Sequence, residues 1–414
     1  MSITTAIDVI DLDAYAESGP PHELWTALRR ESPVHRCEHP DLEPFWAVTR
    51  HADICTISRQ PDKFLSAPGI TIRPRDELIE EGEGIGAMRV VIMMDPPEHR
   101  AIRKVASPWF TPRALKRIDA AVDESARTLV DELAGATGEG TADLANEIAV
   151  KHPLRILSTA LGVPRDQEQK ILELSNRLFA PDDDELGAGN TREEFERLGT
   201  EFLQLFLPII EDRRKNPTDD LASVLANGLV DGEPMGPMET LGYYLIVFNA
   251  GHDTTKNALA GGLRALIDHP EQFAMLQADP VGATPGAVEE ILRWASSVNY
   301  MKRTAALDTE VNGQKIREGD SLVMFYGSAN RDEDVFENPF TFDITRNPNR
   351  HVAFGYGEHF CMGAHFARRS MRAIVLELAR RVQHWELAGD PEWIRANFVV
   401  GLKHLPVQYR IAPR

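Results

Sequence analysis

Only three of the 414 residues are cysteine, Cys37, Cys55 and Cys361, an odd number without paired spacing. That count excludes a disulfide framework, and no CxxC pair or CxxCH sequence is present to hold zinc or attach a c-type haem. A reducing, cytoplasmic setting is expected. Long apolar runs are missing too. None approaches the ~20 residues of a membrane span, and the polar, acidic start MSITTAIDVIDLDAY has no apolar core of a secretory signal. Basic residues are outnumbered, 45 against 64 acidic, for a net charge of −19. This disfavours nonspecific nucleic-acid binding and favours solubility, although an acidic total can hide a local basic patch. Internal repeats and low-complexity linkers are absent.

What remains is an ordinary globular composition, 43% hydrophobic and 26% charged. The length alone suggests two or three domains, but no break in composition marks a boundary, so residues 1–414 are read as one domain. A hairpin is expected where Val34-His35-Arg36 and Phe45-Trp46-Ala47-Val48 flank HPDLEP. Beyond it, helical periodicity predicts helices over 97–107, 114–134, 142–161, 166–179, 191–214, 237–268, 285–296 and 362–383, separated by TPRA, LGVP, NGLVDGEPMGP and HPEQ. Short strands are expected around 301–306, 321–325 and 398–410. Long helices with a few small sheets, and no strand–helix alternation, indicate a mainly α fold rather than a doubly wound one. Residues 65–93 and 180–190 read as loops.

The segment Phe354-Gly355-Tyr356-Gly357-Glu358-His359-Phe360-Cys361-Met362-Gly363 sets one cysteine in a glycine-rich loop at the start of the 362–383 helix. Free N–H groups and the helix dipole would favour a thiolate there, and the glycines would let backbone approach a flat cofactor. A lone cysteine at a helix start is more often an inert packing residue. The whole stretch, however, resembles the haem-binding signature of the cytochromes P450, FxxGxxxCxG, matched at Phe354, Gly357, Cys361 and Gly363. The resemblance covers nearly the entire chain. It implies the mainly α P450 fold, a triangular helical prism with small β-sheets, and haem b (iron protoporphyrin IX) with Cys361 as axial ligand of the iron. Phe354, Gly355, Gly363, Ala250 and Gly251 would lie against the cofactor.

Other segments match the family in order. Glu290 and Arg293 form its ExxR; three-residue spacing puts them on one helix face, where such a pair alone is most often a surface ion pair. The resemblance implies instead that they lock to Arg346 and hold the cysteine loop. His99 and Arg103, four apart, match HxxxR, and with Arg303 and His359 they are the implied propionate contacts; a solvated basic face is the plainer alternative. Asp95-Pro96-Pro97 reads as an N-cap with proline entering the helix. In the apolar 237–268 helix, Ala250-Gly251-His252-Asp253-Thr254-Thr255 matches (A/G)Gx(D/E)T. Cleaving dioxygen needs two protons delivered to its outer oxygen. By resemblance Thr254 relays a proton and Asp253 resupplies it. A helix kink made by a hydroxyl bonding back to the carbonyl four residues earlier is the bland reading. His252 and Thr255 receive no role.

The family implies a monooxygenase that takes O2 and two outside electrons, since no GxGxxG in a βαβ setting and no iron–sulfur cysteines are present; a ferredoxin and its reductase would supply them. DDLASVLANGLVDGE, NAGHDTT, SANRDEDVFENPFTFDITR and NFVVGLKHLPV look like the bacterial terpineol-hydroxylating branch and, less closely, like sterol side-chain oxidases. A compact, terpenoid-like hydrophobe is therefore expected, lined by Phe248, Asn249, Val298, Asn299, Tyr300, Val399 and Val400 beside the loops at 65–93 and 180–190. A haem-thiolate isomerase, reductase or peroxygenase would not need Asp253-Thr254, and a non-catalytic haem sensor would need a signalling domain that is not visible. Arg100, Lys104, Arg368, Arg369 and Arg372 form either a docking patch for an acidic ferredoxin or a solvated helix surface.

Overall fold

The computed structural model describes residues 9–75 and 90–413. Residues 76–89, part of the expected 65–93 loop, lie outside the described residues. The helix Pro237–Asp268 runs through the centre of the molecule. Gly236 precedes it, Pro237 occupies its first turn, where a missing N–H costs nothing, and most of its length is buried, so it is apolar almost all round. Around it pack Asp119–Ala134, Lys151–Ala160, Glu168–Phe179, Arg192–Lys215, Pro280–Ala295 and Ala364–Arg381. Among the described residues no helix is long and apolar enough to cross a membrane.

A five-stranded sheet flanks this helical body in the order Val34–Cys37, Phe45–Val48, Ser321–Phe325, Tyr300–Ala305, Phe64–Leu65. Only the Phe45–Val48 and Ser321–Phe325 pair is parallel. Inside it Lys302 is fully buried and its ammonium meets Glu43 at 2.6 Å. The Lys302 amide donates to the Ile70 carbonyl at 2.8 Å, so the sheet carries the 66–75 segment to the wall of the site.

Several boundaries differ from expectation for identifiable reasons. The 142–161 span is a strand at Glu139–Asp143, a π-helical stretch at Ala145–Val150 and then an α-helix from Lys151. Pro285 lies inside its helix rather than at its start; Asp279 caps the Gly282 amide at 3.0 Å and Pro280 opens the helix. In HPEQ, Pro270 likewise begins a helix, Pro270–Ala278. The 398–410 strand divides into Leu402–His404, paired with Glu392–Trp393, and Pro406–Ile411, sandwiched between Val382–Leu387 and Glu139–Asp143.

Candidate functional site

The loop 354–363 runs into the helix Ala364–Arg381 and is closed by the Cys361 amide donating to the Phe354 carbonyl at 2.9 Å. Gly357 has φ 71°, and a Cβ there would sit 2.1 Å from the Ser58 carbonyl oxygen. That glycine therefore serves close contact with the helix His51–Ser58, not with a cofactor. Cys361 is half-buried and faces the central cavity. Burial pushes its thiol up, opposed by the Gly363 N–H and by Arg103 and Arg368. The helix start alone thus does not make a thiolate; a bound cation at the sulfur would.

Glu290 and Arg293 are buried, not a surface pair. Arg293 donates to Glu290 at 2.8 and 2.7 Å and to the carbonyls of Asn330, Pro339 and Thr341. Arg346 reaches Glu290 at 3.3 Å, and Asn349 donates to it at 3.0 Å. The neighbouring Glu289, unremarked in the sequence, is what touches the cysteine region. It takes a bidentate contact from Arg368 at 2.7 and 2.8 Å and meets His351 at 3.1 Å. Despite its partial burial, His351 and Arg368 hold its carboxyl down at about 2.

One edge of the cavity gathers His99, Arg103, Arg303 and His359. The two imidazoles are 4.1 Å apart, Arg103 donates to the Phe360 carbonyl at 2.6 Å, and Arg303 is almost wholly enclosed. Burial and the neighbouring Arg303, His99 and Arg103 drive His359 down to about 3, and burial with Arg103 lowers His99. His99 Nδ1 has no hydrogen-bond partner, and Glu358, 3.6 Å away, is already held by Arg100 at 2.8 Å. Two arginines beside two imidazoles, with His99 Nδ1 unpartnered, fit an anionic ligand, and two carboxylates on a flat ring facing Cys361 would satisfy them. Asp95 is not a cap; its carboxylate accepts from the Ser66 and Ala67 amides at 2.8 and 3.0 Å and fixes the segment beside His359.

On the opposite wall, Ala250, Gly251, Thr254 and Thr255 face the cavity. Thr254 donates back to the Ala250 carbonyl at 2.7 Å, and Ser297 donates to the Thr254 carbonyl at 2.8 Å. The space beside Gly251 is taken by Leu157, 3.2 Å from where a Cβ would be. Asp253 turns away from the cavity into a buried cluster. Lys256 Nζ meets it at 2.5 Å, Ser175 donates to it, and His252 Nδ1 lies 3.7 Å away. Lys256 also donates to Asn176 at 2.7 Å. Burial would raise the Asp253 carboxyl, but Lys256 and His252 prevail and hold it at about 2.

Residues 70–409 match the family model for Cytochrome P450. The chain belongs to the cytochrome P450 family. Cytochrome P450-terp of a Pseudomonas species is 36% identical over 97% of this chain and 96% of its own length. A methyl-branched lipid omega-hydroxylase of Mycobacterium bovis is 38% identical over 93% and 90%. Among solved structures, Mycobacterium marinum cytochrome P450 CYP268A2 in complex with pseudoionone superimposes with a TM-score of 0.85 at 37% identity, covering 93% of this chain and 94% of that one. The fold is that of a P450, the protein is a P450 monooxygenase, and its cofactor is haem.

Within this P450, the expected pocket residues divide. Val298 and Val399 line the cavity. Phe248 instead stacks on His252, and Asn249 donates to the Leu245 carbonyl on the buried side of the helix. Asn299 is held by Tyr15 and the Asn397 carbonyl, Tyr300 packs with Phe325, and the Val400 amide donates to Ser297. Those five are not on the wall. Ile70 and Ile92, from the expected 65–93 loop, are, and so are Phe179, Ile246, Met301 and Phe398, which the sequence did not single out. The expected docking patch also thins. Arg100 is paired with Glu358, Arg368 with Glu289 and over the Phe354 ring at 4.4 Å, and Arg369 with Asp119 and Asp123. Arg372 reaches Glu289 only at 3.9 Å, and Lys104 is exposed.

Proposed function

We propose that this P450 hydroxylates a compact, uncharged, terpenoid-like hydrophobe, using O2 and two electrons from a ferredoxin and its reductase. The observation that carries the substrate reading is the separation of charge in the cavity. Among the described residues its cations all stand at the His99–Arg303 edge, while the wall formed by Ile246, Val247, Val298, Phe398 and Val399 bears no charged side chain. A carboxylate substrate would find no partner there among the described residues. Pseudoionone in the related CYP268A2 supports the same class.

When bound, haem supplies the oxygen chemistry. Cys361 would hold the iron through its thiolate, and His99, Arg103, Arg303 and His359 would take the propionates. Glu290, Arg293 and Arg346 position the cysteine loop, assisted by Glu289. Thr254 holds a proton on a hydroxyl bonded to the Ala250 carbonyl, and Asp253 would restore it on leaving its cluster with Lys256 and Ser175. Lys104, Arg372 and the exposed Phe360 support a smaller docking face for an acidic ferredoxin than five free cations would. Three unpaired cysteines support a cytoplasmic setting. A longer methyl-branched or sterol side chain is the second reading, favoured by the 38% identical lipid hydroxylase. Spin-state titrations of the haem-loaded protein with terpenoids, branched fatty acids and sterols, followed by turnover with a surrogate ferredoxin, separate them. Tight binding and oxidation of fatty acids or sterols alone would refute the terpenoid reading.

A further inference from the structure

Val298, Phe398 and Val399 reach the cavity wall from two segments that hold each other. Val298 pairs with Val399 in an isolated antiparallel bridge, and the Asn299 amide donates to the Phe398 carbonyl at 2.9 Å. Ser297 fastens both segments to the central helix, accepting from the Val400 amide and donating to the Thr254 carbonyl, each at 2.8 Å. Behind this wall the contacts lead to the start of the chain. The fully buried Asn299 donates from its side chain to the Asn397 carbonyl at 2.7 Å and to the Tyr15 hydroxyl at 2.8 Å. A carbonyl only accepts, which fixes the orientation of that amide. Tyr15, 1% exposed, gives its own proton to the Val9 carbonyl at 3.1 Å, and Asn397 donates to the Ile10 carbonyl at 2.6 Å. Gly19, with φ 71°, ends the helix Leu12–Ser18 so close to Trp393 that a Cβ would sit 2.6 Å from the indole. Residues 9–19 thus close a buried ring of hydrogen bonds on the back of the wall, although none of them lines the cavity.

We propose that Tyr15 is a positioning residue for the monooxygenase: through Asn299 its hydroxyl sets where Val298, Phe398 and Val399 stand, and so which shapes of hydrophobe the cavity accepts. The inference rests on these three residues meeting substrate, as read above, and not on the substrate being a terpenoid. Without the Tyr15 hydroxyl, one buried N–H of Asn299 loses its acceptor, a cost that the 298–299 backbone relieves by shifting. Phe398 shifts with it, because its carbonyl holds the Asn299 amide while its ring packs on Phe179 and Tyr300. Close-packed side chains pass such a displacement on rather than absorb it.

The test uses imidazole and 4-phenylimidazole, which both ligate haem iron and differ in the phenyl ring that the wall must accommodate. Dissociation constants are read from the Soret shift of haem-loaded wild type, Tyr15→Phe, Asn299→Ala, the double variant and Tyr244→Phe. The last removes the same hydroxyl from an equally buried tyrosine that bonds the Ala222 carbonyl and does not line the cavity. Wild type should prefer 4-phenylimidazole. That preference should fall about two- to fivefold in Tyr15→Phe, part of the worth of one neutral hydrogen bond, with imidazole binding and the ferrous carbonyl band unchanged. Tyr244→Phe should keep the wild-type preference, and adding Tyr15→Phe to Asn299→Ala should change it no further, since the hydroxyl acts through that amide. No preference in wild type would overturn the reading of these residues as substrate wall. A wild-type preference in Tyr15→Phe, or an equal fall in Tyr244→Phe, would overturn the role of Tyr15 alone.

Discussion

Replacing Lys256 by methionine removes the one formal cation that, among the described residues, contacts the Asp253 carboxylate, at 2.5 Å, while keeping an unbranched side chain of similar length. Both groups are buried, Asp253 at 1% and Lys256 at 6% exposure. Breaking a buried pair by deleting one partner typically costs about 3–5 kcal/mol, because the other charge is left behind. Asp253 has an escape, which is to take up a proton; at pH 7 that costs about 4 kcal/mol from an ordinary aspartate value. The two routes are close, so the expected loss is about 3–5 kcal/mol either way. With an unfolding entropy of about 0.9 kcal/mol/K for 414 residues, the melting temperature should drop by roughly 3–6 °C. The pH dependence identifies the cause. In wild type the folded value, about 2, lies below the unfolded one, so the stabilisation is present above pH ~4 and lost as pH falls toward 2. In the variant the folded value rises above the unfolded one, and stability is lost as pH climbs from ~4 toward it. The gap between the two proteins should therefore widen from pH 5 to 7, by up to about 1.4 kcal/mol per unit. Denaturant unfolding of haem-loaded protein across that range, with Asp253→Asn and the double variant completing a cycle, measures it. A pH-independent gap, or none, would refute the claim that Lys256 neutralises Asp253.

Further outcomes are expected elsewhere. Cys361→His should abolish the red-shifted ferrous carbonyl band that thiolate-ligated haem gives, while Cys37→Ala and Cys55→Ala keep it. Thr254→Ala should bind substrate and accept electrons yet divert much of the flux to peroxide, whereas Asp253→Asn should slow turnover, since an amide cannot carry the proton; both are read from the ratio of product to reductant consumed. Arg372→Glu should slow first-electron reduction by an acidic ferredoxin and flatten its salt dependence, with haem retained. Arg368→Glu should instead loosen the cysteine loop and release haem, because it faces Glu289; equal behaviour of the two would contradict their assignment to different tasks. His404 bridges Asp143 at 2.6 Å and Glu185 at 2.8 Å, and its hydrogen bond to Asp143 raises its pKa. That bridge is complete below pH ~6.5 and lost as pH rises through the raised folded value. Proteolysis within 184–190 should therefore accelerate more steeply with pH in wild type than in His404→Gln.

The parts legible in the sequence are those that repeat a local pattern. The 32-residue central helix is apolar nearly all round between Pro237 and His269, and both its ends are where the pattern puts them. The helices Leu12–Ser18 and His51–Ser58 were not read because two turns carry too little periodicity. The strand EGTAD has no hydrophobic alternation at all; backbone pairing to Pro406–Ile411 makes it a strand. The pocket errors share one origin. Sequence neighbours of a wall residue point elsewhere, since a helix turns 100° per residue and an extended segment alternates. Val247, Ala250 and Gly251 face the cavity, so Phe248 and Asn249 do not; Val298 and Met301 face it, but Asn299 and Tyr300 look back toward Tyr15 and Phe325. Ile70 arrives from the 65–93 loop, which its glycines and acids mark, whereas Phe179 comes from a distant helix end and leaves no local signal.

The same distance effect hides the most informative arrangement at the site. The helix Glu168–Phe179 ends in Phe179, which lines the cavity and stacks on Phe398 with ring centroids 6.4 Å apart. Three and four residues earlier, Asn176 and Ser175 hold Lys256 and Asp253. Positions so spaced lie within about one turn, so a helix that moves as a rigid rod cannot shift Phe179 without straining the contacts that keep the acid turned away. The wall that meets substrate and the cluster that stores the carboxylate are thus one mechanical element. A chain carrying a net charge of −19 nevertheless keeps this acid ionised with a buried lysine, and sets Arg103 and Arg303 across the cavity, where the cofactor's carboxylates are proposed to sit. Each charge near the reaction has a partner on its own side. The space between them is left neutral, which is the environment an unactivated hydrocarbon requires.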